Sequence, residues 1–66
     1  MEKLTKREVA ILKLITLGYQ NIQISETIYV SIHTVKAHIR SIIRKLDAKN
    51  RAHAVYIAVT NHLLDD

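Results

Sequence analysis

The sequence predicts an all-α domain of four helices. Three observations point there. Among 66 residues there is no proline and one glycine, too few turn formers for a small sandwich or barrel. Leu, Ile and Val number 22, and most recur at helical spacing. Helix-start residues stand before three of the apolar runs. At this length the chain is a single domain with a small core, burying about 60% of its unfolded surface.

The first helix is predicted over residues 6–17. Thr5 can cap it, and Glu8 three residues on completes a capping box. Leu4 before the cap and Val9 behind it are placed for a hydrophobic staple. Ile11, Leu12 and Ile15 share one face and Leu14 flanks it. Gly18 is expected to end the helix as a left-handed residue.

The second element is ambiguous by pattern. Ile22, Ile24, Ile28, Val30 and Ile32 fall at period two, broken by Glu26, as in a strand. A helix over 21–29 instead pairs Ile24 with Ile28 and exposes Gln23, Glu26 and Thr27. A lone strand would leave its backbone groups unpaired, which favours the helix.

Ser31 is the expected N-cap of a third helix over 32–46. Val35, Ile39, Ile42 and Leu46 form an unbroken apolar stripe. His33, Lys36, Ala37, Arg40 and Arg44 gather opposite, with Thr34 and Ser41 beside them. A break at 47–50 follows, with Asn50 as cap of a fourth helix over 51–62. That helix is apolar almost all the way round, through Ala52, Ala54, Val55, Tyr56, Ile57, Ala58 and Val59, so a second face, often an oligomer contact, is expected.

Charge is concentrated on the third helix and the break after it. Residues 36–51 carry net +5, against +4 for the whole chain. Such a concentration suits a polyanion, an anionic membrane surface or plain solvation. Membrane-surface binding would need bulky apolar residues open to lipid, and here that face is needed by the core. No apolar run approaches the roughly 18 residues of a membrane span.

Catalytic readings fail on parts. There is no cysteine, and Ser31 or Ser41 near His38 lacks a carboxylate orienter. No glycine-rich phosphate loop exists. Cysteine-based zinc sites are excluded, and His33 and His38 are five apart, off the i, i+4 spacing that lets two side chains share a metal. No metal, cofactor or small-molecule ligand is expected.

Helix two, a turn at Tyr29–Ser31 and a basic helix three make a helix-turn-helix candidate. An α-helix fits the major groove and presents its N-terminal half to base edges. Ala37 between Lys36 and Arg40 is small enough for close approach. Its methyl suits a thymine methyl, and Arg or Lys suits guanine O6 and N7.

At these positions the chain resembles the LuxR-type (GerE/NarL-like) DNA-binding domain. The resemblance rests on Leu4-Thr5-Lys6-Arg7-Glu8, Gly18, Asn21 with Ile24, Ser31-x-x-Thr34-Val35-Lys36-x-His38, Lys45-Leu46 and Arg51-x-x-Ala54-Val55. It runs from Leu4 to about Ala58. Sigma-factor region 4 has a similar start and turn, but His38 and the Arg51 segment fit the LuxR type better. Met1-Glu2-Lys3 precedes the matching stretch and reads as added to the domain.

The resemblance implies that the third helix enters the major groove of double-stranded DNA. Lys36, Ala37 and Arg40 would face bases. Thr34, His38 and Lys45, with His33, Ser41 and Arg44, would lie at phosphates or flank them. His38 is equally readable as a residue packed beside the stripe, Lys49 as a phosphate contact or solvated, and Arg51 as holding the turn from the third helix to the fourth. The fourth helix commonly mediates dimerisation in this family, making Tyr56, Val59 and Leu63 the candidates. Further implications are a cytoplasmic, nucleoid-bound bacterial transcription regulator, RNA polymerase as a further partner, and a role as C-terminal output domain of a two-component response regulator or as a stand-alone regulator. A protein-interaction module docking an acidic partner is the alternative.

The chain departs from the family pattern at Ala10, Gln20, Ile22, Gln23, Ser25 and Ser41. Gln20 weakens the expected cap of helix two, at a usual cost of about 1 kcal/mol. Ile22 removes a possible phosphate contact.

Overall fold

The computed structural model describes residues 2–65. They form four helices: α1 Lys6–Thr16, α2 Asn21–Ile28, α3 Ile32–Lys45 and α4 Arg51–Thr60. Among the described residues there is no strand, and no helix is long and apolar enough to cross a membrane. The helix alternative for the second element holds. Ile24 is fully buried, while Gln23, Glu26 and Thr27 face water.

Each helix start is chemically specified. Thr5 accepts the Glu8 N–H and the Glu8 carboxylate accepts the Thr5 N–H, closing the capping box. Ser31 accepts from the Thr34 N–H and Asn50 from the His53 N–H. Gln20 stands where a short polar cap is usual, but Gln23 offsets this by accepting the Gln20 N–H at 2.7 Å.

All four helices end in one way. After α1, the Gly18 N–H reaches the Ile15 carbonyl and the Tyr19 N–H the Leu14 carbonyl, with Gly18 at φ +89°. This is the Schellman arrangement. Left-handed residues close the other three at Tyr29 (φ 59°), Asp47 (φ 54°) and His62 (φ 57°), where Val30, Ala48 and Leu63 donate back to Ser25, Ile43 and Ala58. Glycine is therefore required by none of the last three turns, although each L residue there is strained.

The core comes from all four helices: Ile11, Leu12, Ile24, Val35, Ile39, Ile42, Leu46, Ala54 and Ala58. A fully buried Ile, Leu or Val contributes about 1.5–3 kcal/mol. The stripe on α3 is buried along its whole length, and α3 packs against each of the other helices. It is the axis of the domain, which spans 28 × 21 × 19 Å.

Two long-range ties complete the frame. Lys45 Nζ lies 2.8 Å from Glu8 Oε1, with both side chains largely shielded from water. The Arg51 guanidinium donates to Asn21 Oδ1 and to the Tyr19 carbonyl (3.3 Å). Arg51 thus joins the start of α4 to the start of α2, rather than holding the α3–α4 turn as the sequence suggested. Glu2 is also tied in, its N–H donating to the Lys45 carbonyl and its carboxylate pairing with Arg44. It is thereby joined to the end of α3.

Candidate nucleic-acid interface

Burial of Val35, Ile39, Ile42 and Leu46 dictates what α3 shows to water. At about 100° per residue the opposite face must carry the polar side chains. His33, Thr34, Lys36, Ala37, Arg40 and Arg44 are all exposed. His33, Lys36, Ala37, Arg40 and Arg44 follow at i, i+3, i+4, i+7 and i+11, so they line one continuous strip. Fourteen residues make a rod about 21 Å long. Its one small exposed residue in the N-terminal half is Ala37, between two cations.

The α3 N-terminus is held by a reciprocal pair. The Ser31 hydroxyl accepts the Thr34 N–H (3.1 Å) and donates to Thr34 Oγ1 (3.0 Å). Thr34 keeps its own O–H to donate outward, at the positive end of the helix dipole. His38 is half-buried on the flank.

Two expected contact residues lie off the strip, and a third, Arg44, lies on it but has a partner. Lys45 is engaged by Glu8 and partly buried. Ser41 is half-buried, and its hydroxyl helps to hold the same Glu8 carboxylate in its ionised form. Arg44 stays exposed but lies 3.2 Å from Glu2 Oε1. The physical reason is long-range: Glu8 needs compensation once the capping box has drawn it into the interior. Burial acts to raise its carboxyl pKa, but the Lys45 ammonium, the Thr5 N–H and the Ser41 hydroxyl outweigh burial and hold it at about 2. Glu8 is therefore ionised at any ordinary pH, and Lys45 and Ser41 serve it.

On α4, Tyr56 and Val59 are exposed at 65% and 52%. Leu63 instead packs partly against the core and lines a shallow groove with Leu4 and Val9. The open apolar face of α4 thus comprises Tyr56 and Val59, with Ala52 also exposed. His53 stacks on Tyr56, ring centres 6.4 Å apart, and accepts the Lys49 N–H at Nδ1.

Sequence reasoning missed the double duty of Glu8. Its signal was visible only as a cap, because Lys45 lies 37 residues away. It also left Arg7 and Tyr29 unassigned. Arg7 Nη1 points to the Ile28 carbonyl (3.4 Å), and Tyr29 is 93% exposed.

Comparison with known proteins agrees with this geometry. The family described as bacterial regulatory proteins, luxR family, matches residues 2–58. The transcriptional regulatory protein LiaR of Bacillus subtilis is 47% identical over 64 residues, which is 97% of this chain and 30% of that protein. The response regulator protein VraR of Staphylococcus aureus is 41% identical over 63 residues, 96% of this chain and 30% of that protein. The chain thus spans about a third of the length of these relatives. The solved structure of the transcription factor GerE superposes with a TM-score of 0.88 at 31% identity, covering 94% of this chain and 92% of that one. With four helices, a helix-turn-helix at α2–α3 and the family match over most of its length, the chain belongs to the luxR family of bacterial regulatory proteins, as a LuxR-type DNA-binding domain.

Proposed function

We propose that this domain binds double-stranded DNA sequence-specifically, with the N-terminal half of α3 in the major groove. The observation that carries the reading is the exposed strip opposite the buried stripe. Lys36 and Arg40 read base edges, and Ala37 permits close approach. His33, Thr34 and His38 contact or flank phosphates and set the register. Arg44 assists at the far end, where it also meets Glu2. Lys45 and Ser41 support α3 from behind.

The wider role is output for a regulator of transcription, in the bacterial cytoplasm where the DNA lies. Relatives named as response regulators support a two-component setting. A single domain offers few contacts, so affinity comes from pairing two copies through Tyr56 and Val59 of α4, which raises the effective concentration of the second domain. RNA polymerase is a further proposed partner. The domain acts by binding and needs no chemistry of its own.

The test is a fluorescence-anisotropy titration of a random-sequence duplex pool over a salt series, with K36A and R40A beside the wild type. Duplex binding that falls with salt, lost by at least tenfold in each variant at unchanged helicity, supports the reading. Normal binding by both variants would remove the recognition-helix assignment. Absence of binding even by a covalently linked tandem dimer would favour a protein-docking module.

A further inference from the structure

The turn between α2 and α3 holds a residue that folding disfavours twice. Tyr29 occupies the left-handed region at φ 59°, a conformation that suits glycine or asparagine far better. Its side chain is 93% exposed, more than any other large apolar side chain among the described residues. It joins no part of the core. Neither cost is repaid by packing. A bulky aromatic held in that way points outward to a contact beyond the chain.

A cation stands at the same turn. Arg7, exposed on α1, donates one N–H to the carbonyl of Ile28, the residue next to Tyr29. A guanidinium has five N–H donors, and among the described residues this is its sole hydrogen bond. Residues 22 apart in sequence thus place a guanidinium and a phenol at one corner.

The corner lies where a phosphate strand would pass. From the cap Ser31, Lys36 and Arg40 stand about 8 and 14 Å along the helix axis, at ~1.5 Å per residue. The major groove is about 12 Å wide. When those two residues face bases, the turn ahead of the helix reaches the groove's edge. Tyrosine hydroxyls and arginines are both ordinary donors to phosphate oxygens, arginine with charge assistance.

We propose that Arg7 and Tyr29 together grip a backbone phosphate of the duplex at the edge of the groove, as a clamp that sets how α3 enters it. The clamp rests on the DNA-binding reading above. It is sequence-independent, since a phosphate carries no base identity.

The experiment compares wild type, Y29F, Y29G, R7Q and R40A by anisotropy on a labelled random-sequence duplex pool and on one duplex selected from it, over a sodium chloride series, with thermal melts of each protein. Expected for Y29F is binding about 3- to 10-fold weaker on both duplexes, the loss of one hydrogen bond. R7Q is expected to flatten the plot of log K against log salt by about 0.9, one phosphate contact. Y29G is expected to bind more weakly while melting no lower than wild type, because glycine relieves the left-handed backbone. A purely structural tyrosine would move stability and binding together, and that result overturns the clamp. So does wild-type binding by Y29F, Y29G and R7Q on duplexes that R40A releases, and the DNA reading then stands alone. If R40A binds normally while Y29F and R7Q weaken, the clamp stands and only the base-reading role of Arg40 falls. If no variant changes binding, both fall.

Discussion

Replacing Glu8 with glutamine tests the buried tie between α1 and α3. The amide keeps the size and one acceptor oxygen, so the Thr5 N–H can still be capped, but the charge facing Lys45 is gone. The carboxyl pKa falls from the ordinary 4.5 to about 2 in the folded domain. At ~1.36 kcal/mol per pH unit, that difference corresponds to about 3 kcal/mol favouring the ionised form. The sign follows from a depressed carboxyl. The stabilisation is complete above pH 4.5, declines as the pH falls, and is gone near pH 2. Glutamine mimics the protonated form, so E8Q should be about 3 kcal/mol less stable at pH 7 and match the wild type near pH 2. Domains of this size have about 3–10 kcal/mol in total, so the loss is a large fraction. The assay is urea unfolding followed by far-ultraviolet circular dichroism across this pH range, with the wild-type-minus-E8Q difference as the readout. Other carboxylates largely cancel in that difference. High salt should barely change it, because a shielded pair is poorly screened. A difference below about 1 kcal/mol at neutral pH, or one that does not shrink toward pH 2, would refute the reasoning.

Three further outcomes are expected. R51A should lower stability by about 2 kcal/mol in the same urea assay, since it strips charged hydrogen bonds from Asn21 and the Tyr19 carbonyl. G18A should cost about 1 kcal/mol through backbone strain alone, because a methyl there meets nothing within 4 Å; its crystal structure should show no repacking. Y56D with V59D should leave the melting temperature of the isolated domain within a few degrees of wild type and abolish concentration-dependent association in analytical ultracentrifugation; a double variant that still self-associates places the dimer contact elsewhere.

The helix starts were legible because capping is local. Thr5, Ser31 and Asn50 each act on a backbone group three residues away, and a linear reading sees that distance. The α3 stripe was legible because one face of a helix is a periodic property. Helix ends were read one or two residues long at 17, 46 and 62, since the Schellman turns tighten the backbone there without a glycine at Asp47 or His62 to announce them. α2 escaped periodicity altogether, and only the need to pair backbone groups decided it. Of the interface, the strip through Lys36 and Arg40 follows from the stripe opposite it. The diversion of Lys45 and Ser41 to Glu8 does not, because a contact across 37 residues is fixed only once the helices pack. Arg44 and Lys45 are adjacent cations with different fates: one meets Glu2 in water, where such pairs contribute little, and the other is sequestered.

Four reversals of the chain, at positions 18, 29, 47 and 62, share one requirement, and it concerns handedness more than size. At Gly18 the space where a side chain would stand is open. A D-alanine there would find its preferred backbone angles already in place, whereas the L-enantiomer is strained. A chain of 66 residues is within reach of chemical synthesis by ligation. The D-alanine protein should match or exceed the glycine protein in stability, since its unfolded chain has fewer conformations to lose. Mirror-image residues at the four corners would thus give a domain whose turns are set by stereochemistry, leaving the exposed basic strip of α3 chemically untouched.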